Sequence, residues 1–214
     1  MFAIALSIVA PSHAEDALPA GATAATTYTL EAADSRLYVL VKYDRDALIA
    51  GHDHVVVAQQ FDGSVTWNPA DPSACDVRIS FPVTALAVDP GSSRSWEGLE
   101  GATSDGDKSS IAKNLQGKSQ LHAAMFPRIA FTSKSCKRSG AGFEVTGSLG
   151  IHGVDAPVTA LMRIEADADG FSAKGRFSAS HSKWSMDPFT AMFGSLRNDD
   201  TLEFVVDVNG HAAR

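Results

Sequence analysis

Residues 36–67 read RLYVLVKYDRDALIAGHDHVVVAQQFDGSVTW, and their reading decides the fold. Leu37, Val39, Val41 and Tyr43 alternate with Arg36, Tyr38 and Lys42, so one side is apolar and the other carries charge. A period of two over eight residues marks a half-buried β-strand. The polar break Asp44-Arg45-Asp46 and the short apolar piece Ala47–Ala50 lead to Gly51-His52-Asp53-His54. A continuous apolar run, Val55-Val56-Val57, follows. Alternation then resumes at Phe61, Gly63, Val65 and Trp67, with Asp62-Gly63 expected as a turn or bulge. Two strands therefore flank a polar knot that holds two of the seven histidines.

The same period recurs along the chain. Residues 27–32 read as a short first strand, and Val77, Ile79, Phe81 and Val83 share one face of the next after the knot. Ile129 and Phe131 begin another, and Phe143, Val145, Gly147, Leu149 and Ile151 a further one. Residues 158–164 precede Asp169-Gly170, a turn dipeptide between alternating runs and so a hairpin signal. Beyond it Phe171, Ala173, Gly175, Phe177, Ala179 and His181 share a face, and Leu202, Phe204, Val206 and Val208 close the chain. One helical stretch is expected over 108–124 with Asp107 as N-cap, Ile111, Leu115 and Leu121 as its stripe, and Gly117 able to split it in two. Residues 89–106, rich in Gly, Ser and Asp, are expected to form an exposed loop. About eight strands, one helical insertion and no βαβ rhythm predict an all-β fold: an antiparallel eight-stranded β-barrel, or a strongly curved sheet, with a short helical insertion.

Length and charge narrow the function. The 214 residues suit one domain, and 18 basic against 25 acidic residues give a net charge of −7, which argues against a nucleic-acid partner. The apolar start with Ser12-His13-Ala14 reads as a signal peptide over 1–14, although without a basic leader; residues 15–26 read as a linker and 27–210 as the barrel domain. An exported protein is the expectation. Such a compartment permits a Cys75–Cys136 bridge. Pairing Ile79 with Phe131, however, sets Cys75 opposite Ser135, one residue short, so that the bond requires a bulge.

Three chemistries compete for the site. His52 and His54 would lie on one side of a strand, as two ligands of a metal or haem-linked accessory protein would, with His122, His152 or His181 as a third; no zinc-type spacing supports them. Hydrolysis is unsupported, because Gly194-Ser195-Leu196 lacks the second glycine of a nucleophile elbow, and no catalytic residue and no cofactor is assigned. A lumen that binds an apolar ligand needs neither. Its inward set is Val39, Val41, Ile79, Phe81, Phe131, Leu149, Phe177 and Phe204, with Ala173, Gly175 and Ala179 giving room. His52, His54 and Arg45 are candidates by type for a polar head. The competing structural account is a barrel filled by its own side chains.

In order along the chain, several motifs resemble those of the YceI-like, lipid-binding family. They are Asp34-Ser35, the histidine knot, Phe61-x-Gly63, Leu86-x-Val88-Asp89 and Leu121 through Phe126-Pro127-x-Ile129-x-Phe131. Gly147-x-Leu149-x-Ile151-x-Gly153-Val154, Asp187-Pro188-Phe189 and Gly194-x-Leu196 complete the series. Gly51-His52-Asp53-His54 is similar to a GHxH-bearing branch of that family. The resemblance implies a lipocalin-like barrel, export to the periplasm, and an isoprenoid or related lipid held in an apolar lumen for transport or storage. A transient contact with a membrane surface would accompany loading.

Overall fold

The computed structural model describes residues 24–213. The expected signal segment, 1–14, and most of the 15–26 linker lie outside the described residues. Twelve strands follow one another: β1 (Thr26–Leu30), β2 (Arg36–Tyr43), β3 (His54–Ala58), β4 (Asp62–Trp67), β5 (Asp76–Pro82), β6 (Leu86–Val88), β7 (Arg128–Ser139), β8 (Gly142–Ile151), β9 (Val154–Ala166), β10 (Gly170–Ser180), β11 (Thr190–Ala191) and β12 (Leu196–Ala212). Two short helices, α1 (Ser93–Trp96) and α2 (Asp105–Gln116), lie between β6 and β7.

The register reduces these pieces to eight staves. β1 and β2 are two halves of one bent strand, because β1 pairs with β4 while β2 pairs with β3 in the same antiparallel sense. β4 and β3 in turn pair with β5 and β6. From there β5, β7, β8, β9, β10 and β12 follow as neighbours, and β12 returns to both β1 and β2. The result is a closed eight-stranded antiparallel barrel in which each stave pairs with the next in sequence. Closure covers most of the free edges that would otherwise invite strand addition, while β6 and the part of β9 before Leu161 keep one side without a strand partner among the described residues.

One end of the barrel is sealed by aromatic residues. Tyr28 and Phe171 lie 5.3 Å apart, Trp67 meets Phe143 edge-on at 4.8 Å, and the Tyr28 hydroxyl donates to the Asp167 carbonyl. At the opposite end the staves run into the loops 44–53, 119–127 and 181–195. There β9 pairs with β10 only from Leu161 onward, and the 3-10 turn His181–Trp184 packs where the two strands part.

Four expectations are corrected. The helix begins earlier, at Asp105, because Ser104 and not Asp107 is the cap: the Ser104 hydroxyl accepts from the Asp107 backbone N–H. It ends at Gln116, with Gly117 as C-cap, so 117–124 is a series of turns. Asp62-Gly63 lies inside β4; the break between β3 and β4 falls at 59–61. Residues 89–103 are a packed cover and not an open loop. Tyr38, Leu40, Val55, Val57 and Val205 form an apolar patch on the outside of the barrel wall, and Trp96 and Leu99 lie over it. The run Val55–Val57 is thus buried on both faces, with Val56 toward the lumen.

Candidate functional site

The lumen contains a cavity of about 220 Å³. That exceeds the roughly 150 Å³ at which an apolar cavity in a protein stays dry and takes up a small hydrocarbon. Its walls follow from the strand period. Leu37, Val39 and Val41 on β2, Ile79 and Phe81 on β5, Phe131 on β7, Leu149 on β8, Phe177 on β10 and Phe204 on β12 all line it. Register brings Ile79 opposite Phe131, Phe131 opposite Leu149, and Phe177 opposite Phe204. The last two rings stack in parallel with centroids 4.6 Å apart, a favourable aromatic arrangement.

The small residues of β10 play unequal parts. Ala173 lines the cavity, whereas Ala179 does not and packs against the core near Leu202. Gly175 makes room for the protein's own side chain: a Cβ there would overlap Sδ of Met162, its partner on β9. At position 175 the space is taken by the protein's own side chain, whereas Ala173 borders the cavity.

His52 and His54 do not line the cavity. The side chain of Asp89 is fully buried and draws His54 to it, with Nδ1 at 2.8 Å from Oδ2. Asp89 also accepts from the Val55 N–H at 2.8 Å, from the Thr103 hydroxyl, and from Arg94 at 3.2 Å. Burial alone would raise the Asp89 pKa, but bonds from His54, Thr103 and the Val55 N–H outweigh it and hold the carboxyl well below the usual range. Asp89 adopts a left-handed backbone (φ 46°) to make these bonds. Arg94 extends the network to the carbonyls of Asp53, Glu100 and Gly101, so the knot pins the cover 89–103 to β3. Arg45 is likewise engaged, with Asp53 at 2.6 Å. Among the described residues no group of three or more His, Cys, Asp or Glu side chains converges as a metal site would require.

The polar groups of the lumen are Gln120, His181 and Asn198, at the loop-bearing end. They join Leu115, Leu121 and Met186 there. Sequence reasoning assigned none of them to the lumen's polar end, although His181 continues the inward parity of Phe177. Gln120 and Asn198 come from a turn and from the irregular start of β12, where no period points inward.

The cysteines are bonded, with Cα atoms 6.0 Å apart. The register matches Ile79 with Phe131, and the required bulge lies in β7 between Ser133 and Ser135. There the Ser133 hydroxyl takes the Val77 N–H at 2.8 Å. The extra residue turns Cys136 inward, into the core beside Val145.

A closed antiparallel barrel around an apolar lumen, with a few polar groups at one end, is an architecture that can enclose a small apolar molecule. The family model of the YceI-like domain matches residues 28–209, and the chain belongs to that family. Proteins YceI of Salmonella arizonae and Salmonella newport are 27% identical to it over 126 residues, a match that spans 55% of this chain and 56% of theirs. Among solved structures, BcnA of Burkholderia cenocepacia superposes with a TM-score of 0.62 at 15% identity, covering 84% of this chain and 98% of that one. The Campylobacter jejuni YCEI protein superposes with a TM-score of 0.55 at 14% identity, covering 78% and 88%. At such identities the superpositions speak for the fold alone.

Proposed function

We propose that the protein is an exported, non-catalytic carrier that holds a lipid-like, isoprenoid-type molecule in the barrel lumen for transport or storage. The observation that carries this reading is the continuous apolar lining of the 220 Å³ cavity, open to polar groups only at one end. Each buried methylene of such a ligand contributes about 0.8 kcal/mol, less the cost of immobilising a flexible chain. A few isoprene units then suffice without any reactive group. The disulfide fits an oxidising compartment, which supports the periplasm as the place of action.

Loading from a membrane surface is part of the same reading. Leu48 (89% exposed) and Ile49 stand out from the loop 44–53, and Met192 and Phe193 (111%) from the loop before β12. The Ile49 N–H donates to the Ser195 carbonyl at 2.9 Å, which holds the two tips together at the end of the barrel where Asn198 lines the lumen. Exposed apolar side chains grouped in this way mark a contact surface.

The test is native mass spectrometry of the protein purified from its own periplasm, with a parallel lipid extract. The expected result is a bound hydrophobic mass that an organic solvent removes. Repeated isolation of an empty barrel that also takes up no added isoprenoid would defeat the carrier reading.

A further inference from the structure

We infer that His181 is a hydrogen-bond acceptor for the head of the ligand, and that the ligand therefore ends in an uncharged hydroxyl. This rests on the carrier reading and adds the chemistry of the head. His181 is only 4% exposed, yet it lines the cavity. Its Nδ1 lies 2.9 Å from the backbone carbonyl of Asp200, and its own backbone N–H is held by the Asp200 carboxylate at 3.2 Å. A carbonyl can only accept, so Nδ1 carries the proton, and in the neutral ring Nε2 is left with a lone pair. Nε2 has no hydrogen-bond partner among the described residues.

The remaining lumen groups decide between kinds of head. Among the described residues no lysine or arginine lines the cavity, so a phosphate or carboxylate would lose its hydration without gaining a counter-charge. The Asp200 carboxylate, whose Oδ1 lies 3.8 Å from Nδ1 of His181, adds negative charge on that side. The Gln120 amide already donates to the carbonyls of Ser119 and Asp187, and the Asn198 amide, which also lines the lumen, is uncharged and cannot offset an anion. The Tyr38 hydroxyl is turned outward to Glu97. A hydroxyl donor, on an alcohol or a phenol, is the head that completes His181.

Three probes with one tail test this: geranylgeraniol, its methyl ether and its monophosphate, titrated into the disulfide-bonded protein by tryptophan fluorescence. Trp184, fully buried and 5.6 Å from Phe204, is the reporter. The alcohol should bind about three- to tenfold more tightly than the ether, which cannot donate, and the monophosphate no more tightly than the ether. In His181→Phe the ratio of alcohol to ether affinity should fall to about one, whatever the change in either affinity alone, and His181→Gln, which restores an acceptor, should recover part of the ratio. Should the Phe variant not fold, the imidazole ¹⁵N signal of wild-type Nε2 gives the same answer, shifting with the alcohol and not with the ether. Equal binding of alcohol and ether, or tightest binding of the monophosphate, overturns the acceptor and leaves the carrier standing. Binding of none of the three removes both.

Discussion

Met162 occupies the space in front of Gly175: the two are register partners on β9 and β10, and a side chain at 175 would collide with the Met162 sulfur. The barrel is thus partly filled by its own residues, and the ligand space begins where that filling stops. Gly175→Val should displace Met162 and cost about 1–3 kcal/mol through overpacking. Urea denaturation of the variant checks this; an unchanged midpoint would mean that Met162 has somewhere else to go.

Val39 faces the lumen from β2 and is only half-buried, because it borders the cavity. Val39→Trp should fill that space and weaken isoprenoid uptake at least tenfold while the barrel stays folded. Ala179→Trp, at a position that packs against the core and does not line the cavity, should instead lower stability. Binding and melting curves of the two variants separate ligand space from packed core.

Asp89 should make the protein acid-sensitive in a defined direction. Its folded pKa is depressed, so its contribution to stability is fully present above the unfolded carboxylate value of about 4. That contribution fades as the pH falls from there through the folded value. Asp89→Ala should cost about 3–5 kcal/mol at pH 7, since it leaves His54 and Arg94 without their buried partner. Melts at pH 7 and pH 3 should show a smaller pH dependence in the variant than in the wild type.

The Cys75–Cys136 bond closes a loop of 61 residues in sequence separation. On the chain-entropy model its loss costs about 4 kcal/mol, chiefly by freeing the unfolded chain. Equilibrium unfolding with and without reductant measures the difference, and a Cys75→Ser/Cys136→Ser double variant should match the reduced protein.

Phe193 and Leu48 should govern contact with lipid surfaces. A Leu48→Ser/Phe193→Ser variant is expected to lose most of its flotation with phosphatidylcholine vesicles while keeping its affinity for a soluble isoprenoid. Flotation equal to that of the wild type would assign these tips to something other than a bilayer.

The strand period by itself determined the fold class and most of the wall. Alternation is a local property of the chain, so Val39, Ile79, Phe131, Leu149 and Phe204 could be placed on one face before any partner was known. The Ile79–Phe131 register was legible for the same reason, and with it the need for a bulge; only the structure decided that the bulge forms at 133–135 and that the bond closes. What tertiary structure alone decided is where polar side chains spend their hydrogen bonds. His54 follows the parity of Val56, yet it turns to Asp89, 35 residues on, because a buried carboxylate has to be satisfied by whatever donors the fold brings near. The cover over Tyr38 and Leu40 escaped the sequence reading because 89–103 is polar in composition and holds its place through Trp96, Leu99 and one buried aspartate. The polar end of the lumen, assembled from a turn, a 3-10 segment and the irregular start of β12, has no periodic signature, since its residues meet only when the staves close.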